Sequence, residues 1–284
     1  MTVPLFDLHC HTTYSDGSLS VQELLLLAKQ KGLFGLAITD HDTYAAFYET
    51  KLGNKELKVI PGIEISSRLG KESVHVLGYS FDPKNASLLK LCELQAKRRI
   101  DRNLALLAKL GECGMPIAEE EITISKNPWH SFGRVHIASV MVKKGYVTDI
   151  AQAFTRFIGD GKNCFVAADH PTVEEVLLVL HEAKGKAVLA HPHLLRRNST
   201  VKALMNLAFD GIEANYGNFG KEGAYKWVRY ADEKGWFVTG GSDFHGEVKP
   251  HAQLGSATTD PAVFEFLYNH FLSHTSFDEL QTMY

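Results

Sequence analysis

The chain has 284 residues, 45% of them hydrophobic, and a formal charge of −3, which fits one large α/β domain or a core with an insert and sets it apart from strongly basic nucleic-acid binders. Its four cysteines, Cys10, Cys92, Cys113 and Cys164, show no C-x-x-C spacing, and the N-terminus carries no basic segment followed by a long apolar run. The leucine run Leu24 to Leu27 is far too short to span a bilayer, so the expectation is a cytoplasmic protein with reduced thiols and no membrane partner.

The first strand reads Leu5-Phe6-Asp7-Leu8-His9-Cys10-His11. Alternate residues on a strand share a face, so His9 and His11 point one way and Cys10 the other. The turn signal Ser15-Asp16-Gly17 follows and places a carboxylate at the rim. Ser20-Val21-Gln22-Glu23 is a capping box opening a helix that ends near Gly32. Three further buried strands follow: Gly35 to Thr39, with Asp40-His41-Asp42 at its end, then Val59 to Ile65 carrying Glu64, and Val74 to Tyr79 carrying His75.

From about residue 86 to 169 the pattern turns helical, over Leu88 to Leu110, Val135 to Lys144 and Asp149 to Ile158, with a polar stretch at Glu119 to Lys126. Strand and helix alternation then resumes: Lys186 to Ala190 leads to His191, Gly211 to Ala214 follows, and Trp236 to Gly240 leads to Asp243 and His245. The chain is thus expected to form one α/β domain from residues 1–85 and 170–284, with a helical insert at 86–169 covering the active site. Metal-capable side chains recur at strand ends, where α/β folds place their sites. Any one of them has an ordinary structural reading, such as a helix cap or a hydrogen-bonded core histidine. Their joint placement points to a metal centre.

The ordered set His9-Cys10-His11, Asp16-Gly17, Thr39-Asp40-His41-Asp42, Gly62-Ile63-Glu64, His75-Val76-Leu77-Gly78, Ala190-His191-Pro192 and Gly241-Ser242-Asp243-Phe244-His245 resembles the polymerase and histidinol phosphatase (PHP) family of metal-dependent phosphoesterases. The resemblance implies a distorted (β/α)₇ barrel with three divalent ions at the C-terminal ends of its strands. One ion would take His9, His11, Glu64 and Asp243. Glu64 would bridge to a second, held also by His75 and His191, and a third would take Asp16, His41 and His245. Asp40 would orient His41 or a neighbouring ligand. Nitrogen and oxygen donors without thiolate suit Mn²⁺, Fe²⁺ or Zn²⁺, with Mn²⁺ the first expectation. Three such ions exceed the charge of Asp16, Glu64 and Asp243, and a phosphoryl group fits the surplus, with hydroxide on the ions as attacking group.

Within the insert, Gly133-Arg134-Val135-His136 is similar to the Gly-Arg-Pro-His segment of the subfamily that dephosphorylates nucleoside 3′,5′-bisphosphates and trims RNA from its 5′ end. It implies Arg134 and His136 as substrate contacts. Val135 replaces the usual proline, and Gly161-Lys162-Asn163 departs from the usual Gly-Lys-Pro. His193 is a candidate proton donor. Lys97, Arg98, Arg99 and Arg102 read as a solvated face or a guide for a nucleotide tail, and Tyr44, Phe132, Tyr216, Phe219 and Phe244 as packing or a stacking surface for a base. The expected substrate is therefore a phosphorylated small molecule or short RNA, with no DNA partner indicated. The alternatives are a phosphatase of a small metabolite such as histidinol phosphate, and a non-catalytic barrel that binds phosphate or a partner.

Overall fold

The structure, a computed structural model, describes residues 4–50, 57–122, 129–217 and 220–275. Its strands are β1 (Leu5–Cys10), β2 (Leu33–Ile38), β3 (Lys58–Leu69), β4 (Glu72–Tyr79), β5 (Lys186–Leu189), β6 (Gly211–Tyr216) and β7 (Phe237–Gly241). The helices are α1 (Val21–Gln30), α2 (Ala86–Glu112), α3 (Arg134–Lys143), α4 (Ile150–Ala153), α5 (Val173–Glu182), α6 (Asn198–Leu204), α7 (Gly220–Lys234) and α8 (Pro261–His274).

The seven strands lie in sequence order in one sheet. Just past the ends of β1 and β7, Asp243 N donates to His9 O at 2.8 Å and His11 N to Phe244 O at 2.9 Å, so the sheet nearly closes into a barrel. That closure needs Gly241, because a Cβ there would meet the His9 Cβ at 2.2 Å. Pairing is parallel except around β4, which runs antiparallel to both β3 and β5. The turn from Leu69 to Glu72 leaves no room for a crossover helix, so β3 and β4 form a hairpin. This is where the barrel departs from simple strand–helix alternation.

The capping box at Ser20 is formed: Ser20 N donates to Glu23 Oε2 at 2.8 Å and Glu23 N to Ser20 Oγ at 3.3 Å. Gly32 follows α1 in the left-handed region, at φ +71°. At the other end of the chain α8 packs Phe264 and Leu267 with Phe6 and Leu8 of β1, and the Phe6 and Phe264 rings stack at 4.2 Å. Each buried phenylalanine of this kind contributes about 1.5–3 kcal/mol.

The long helix α2 joins two cores. Leu88 and Cys92 pack with the barrel residues Ile63, Ile65 and Leu180, whereas Leu106 and Leu110 pack with Met115, Ile137, Met141 and Ile158. The sequence predicts one helix over Asp149–Ile158, but α4 stops at Ala153 and a π turn continues over Phe154–Ile158. The Cys113 and Cys164 thiols lie 3.3 Å apart, a neighbourhood their spacing in sequence does not disclose. No helix among the described residues is long and apolar enough to cross a membrane.

Candidate metal centre

The side chains of His9, His11, Asp16, His41, Glu64, His75, His191, Asp243 and His245 converge on one mouth of the barrel. His9 and His11 leave β1 in the same direction, and both Nε2 atoms lie 3.4 Å from Glu64 Oε2. They also approach Asp243 Oδ1, at 3.5 and 3.4 Å. Glu64 Oε1 meets His75 Nδ1 at 2.7 Å and His191 Nε2 at 2.8 Å. His75 pairs in register with Ser66, two residues beyond Glu64. Because β4 runs backwards, its early residues return to the mouth at which its neighbours end. On the far side, Asp16 lies 3.3 Å from His245 Nε2 and 3.8 Å from both His11 Nδ1 and His41 Nε2.

Donor atoms from three sets, His11–Asp16–His41–His245, His9–His11–Glu64 and His41–Glu64–His75, each fall within 4.8 Å of one another. His41 thus faces Glu64 as well as Asp16. The hydrogen-bond accounting supports a cation here. His9 Nε2, His11 Nε2, His41 Nδ1, Asp16 Oδ1 and Glu64 Oε2 are buried without a well-formed hydrogen bond among the described residues, although His41 Nδ1 and Glu64 Oε2 lie 2.9 Å apart. Such orphaned atoms cost about 1–3 kcal/mol each, and here they all point into one place.

Other atoms of the same side chains are tied down. His9 Nδ1 lies 2.8 Å from Glu213 Oε1, and the other Glu213 oxygen accepts from His191 N at 2.8 Å. Ser15 Oγ donates to Asp40 at 2.6 Å and lies 3.2 Å from His11 Nδ1. His245 Nδ1 donates to its neighbour's carbonyl, Asp243 O, at 2.9 Å. Each of these contacts leaves Nε2 as the free lone pair, the tautomer a metal ligand requires. Asp243 Oδ2 is held by Tyr216 Oη at 2.5 Å and by the Lys249 ammonium, so Oδ1 alone faces the cluster.

The backbone is bent to suit. Asp42, His191 and Asp243 have φ of +58°, +25° and +52°, conformations that cost a non-glycine residue on the order of 1 kcal/mol or more. Each amide is pinned across the site: Asp42 N to Glu64 O and Asp243 N to His9 O, both at 2.8 Å, and His191 N to Glu213.

The electrostatics favour positive charge at the mouth. Burial pushes the Glu64, Asp16 and Asp243 carboxyls up, but the surrounding imidazoles outweigh it and hold all three well below the usual range. Burial depresses His11, yet Asp243 and Glu64 raise it to about 9. His41 is held below its ordinary value because burial prevails over Glu64 and Asp16.

The structure refines several expectations. Of the two options for Asp40, it supports a neighbouring ligand: Asp40 accepts from Thr12 N at 2.8 Å and from Ser15 Oγ, bracing the turn that carries Asp16 and acting on His11 through Ser15. Arg134 and His136, two positions apart on α3, face different clefts. Arg134 Nη1 contacts Asp160 at 3.2 Å in a cavity of about 300 Å³ shared with Arg68, Lys71, Arg102 and His170. His136 Nδ1 accepts from Gly133 N at 3.0 Å, and the ring lines a separate cleft with Asp16. The basic run on α2 is not a solvated face throughout: Arg99 and Arg102 are buried. Arg99 Nε donates to Asp42 at 2.7 Å. Burial, and then His191, hold His193 down at about 4, and its ring lies 4.4 Å from that of Tyr216. Tyr44 and Phe244 belong to the core, and Phe219 lies outside the described residues.

Glu213, Lys249, Arg68, Lys71 and His170 were not anticipated as site residues. Glu213 had a signal: a carboxylate in the apolar strand Gly211-Ile212-Glu213-Ala214 must have a buried partner. The others depend on long-range juxtaposition.

Comparison with known proteins gives a consistent result. The PHP domain matches residues 7–110. The chain is 34% identical over 257 residues to a 5′-3′ exoribonuclease of Haemophilus influenzae, covering 84% of this chain and 89% of that protein. It is 27% identical to a 3′,5′-nucleoside bisphosphate phosphatase of Chromobacterium violaceum, over 90% of this chain and 93% of that one. Among solved structures, one from Bifidobacterium adolescentis, described at the level of a metal-dependent phosphoesterase, superposes with a TM-score of 0.86 at 28% identity, covering 95% of this chain and 97% of that one.

Proposed function

The chain belongs to the PHP family of metal-dependent phosphoesterases, and from that premise we propose that it hydrolyses nucleotide phosphoesters flanked by a second phosphate. The substrates are nucleoside 3′,5′-bisphosphates, losing the 3′-phosphate, and short 5′-phosphorylated RNA, losing 5′-nucleotides. The observation that carries this reading is the basic cavity beside the metal ligands. Arg68, Lys71, Arg102 and Arg134 line it against one carboxylate, Asp160. His170 in the same cavity feels both Arg102 and the ligand His75, and Ser73, on the same face of β4 two residues before His75, lines it, which supports a cavity close to the centre. Burial, Arg99 and Arg134 depress Arg102 to about 9, a crowding of positive charge that a phosphate dianion relieves.

His9, His11, Glu64 and Asp243 would hold one ion, Glu64 with His75 and His191 a second, and Asp16, His41 and His245 a third. When bound, such ions supply charge for the phosphoryl oxygens and an activated water at neutral pH. The chain's own residues do the positioning. Glu213, Ser15 and the Asp243 carbonyl fix the imidazole tautomers, and Tyr216 with Lys249 restricts Asp243 to one outward oxygen. Arg102 and Arg134 bind the second phosphate and set how far the scissile ester reaches into the mouth.

The test is phosphate and nucleotide release by the Mn²⁺-loaded protein from adenosine 3′,5′-bisphosphate, a 5′-phosphorylated RNA oligomer and histidinol phosphate in parallel. Turnover of the first two with the third intact is the expected result. Turnover of histidinol phosphate alone would overturn the reading, and turnover of none with metal bound would favour a binding barrel.

A further inference from the structure

Two clefts open beside the cluster. The basic cavity lies toward His75 and His170; the other, of about 670 Å³, has the ligand Asp16 in its wall and runs under α3 past Val140 and Lys143. This second cleft carries mixed charge, with Glu121, Glu247 and Asp16 set against Lys143, and lacks the concentrated positive charge of the first. Its distinctive feature is aromatic. His130, Phe132 and His136 all line it, with successive ring centroids 6.3 and 5.3 Å apart. The row continues into the barrel through Tyr14, 4.5 Å from His130.

The row is anchored at both ends. Ser131 N donates to Tyr14 O at 2.7 Å, tying the insert to the barrel, and Asn103 Nδ2 donates to Phe132 O at 3.1 Å, tying it to α2. Nucleobases stack on such rings whatever their identity, and the cleft has the volume of a small-molecule site.

We propose that the cleft bearing Asp16, His130, Phe132 and His136 is the subsite that stacks the base on the 3′ side of the scissile phosphate. This rests on the phosphoesterase reading above. The first nucleotide lies with its 5′-phosphate in the basic cavity and its 3′-ester at the cluster. Water adds to phosphorus, the P–O3′ bond breaks, and the 3′ oxygen leaves and takes up a proton. The remaining strand keeps the phosphate as a new 5′-phosphate, its bases on the aromatic row. A nucleoside 3′,5′-bisphosphate reacts by the same bond cleavage but places no base in this cleft.

That difference supplies the test and its internal control. Phe132→Leu, which keeps apolar bulk and removes the ring, and His130→Ala are assayed on a 5′-phosphorylated tetraribonucleotide and on adenosine 3′,5′-bisphosphate. Stacking of one base predicts about a tenfold loss of kcat/KM on the RNA, with the bisphosphate changed by less than about twofold. Equal losses on both substrates, or no loss on either, would overturn the proposal while leaving the phosphoesterase reading standing. Failure of the wild-type protein to cleave either substrate would overturn both.

Discussion

At the barrel mouth His9, His11 and Asp243 are each held twice, once by the strand or strand end that carries them and once by a buried partner, Glu213, Ser15 or Tyr216. The insert side is held differently. Arg134 reaches the basic cavity from the first turn of α3, braced by the rings of Phe154 and Phe165, each about 5.5 Å from its guanidinium, and Arg102 reaches it from the middle of α2. The floor is fixed before any ligand arrives, while the wall offers charge that a ligand completes. On the function proposed above, the contrast separates reaction from selection: chemistry common to phosphoesterases would belong to the floor, and the choice of phosphoester to the wall.

Substitutions can break that division in order of severity. Asp243→Ala removes a carboxylate that faces His9, His11 and His245, and turnover of every phosphoester is expected to fall about a thousandfold or more. Metal analysis should show a lost ion, and full activity would exclude Asp243 as a ligand. Glu213→Gln keeps the shape but weakens the hold on His9 and His191. Metal affinity, read by titration against a chelator, should drop about 10- to 100-fold, with kcat recovering at saturating metal. Arg102→Ala touches only the wall. KM for substrates with two phosphates should rise about 10- to 100-fold, and KM for p-nitrophenyl phosphate should stay level.

The smallest effect concerns the joint between the two regions. Asp42 is buried against Arg99, and although burial pushes its carboxyl up, Arg99 and Ser66 N hold it down at about 2. A lowered folded pKa contributes stability above the ordinary value of 3.8 and loses it as pH falls toward 2. In metal-free protein, the unfolding free energy should therefore exceed that of Asp42→Asn by about 2 kcal/mol at pH 5, and the gap should close between pH 4 and 2. A gap independent of pH would remove the ion pair from the joint.

The same division explains what was legible in the sequence. The floor could be read because strand ends impose an order: His9-x-His11, Glu64, His191 and Asp243-x-His245 each follow an apolar run, and a closed sheet brings such ends together. The β3–β4 hairpin was less visible, since His75 sits in a strand whose direction no local pattern states. The wall was mostly hidden. Arg99 and Arg102 look like part of a wet charged face until α2 is laid across Asp42 and Ser66, and the separation of Arg134 from His136 follows from the turn of one helix. Glu213 stood in plain view in an apolar strand, where its charge demanded a partner.

The division of labour is tested most directly by phosphate release from adenosine 3′,5′-bisphosphate and from adenosine 3′-monophosphate, each with wild-type and Arg102→Ala protein loaded with the same metal. Wild-type protein should favour the bisphosphate by about 100-fold in kcat/KM, and Arg102→Ala should erase most of that preference while leaving the monophosphate rate unchanged. Equal use of the two nucleotides by wild-type protein, or an equal loss on both in the variant, would contradict a wall that selects through the second phosphate.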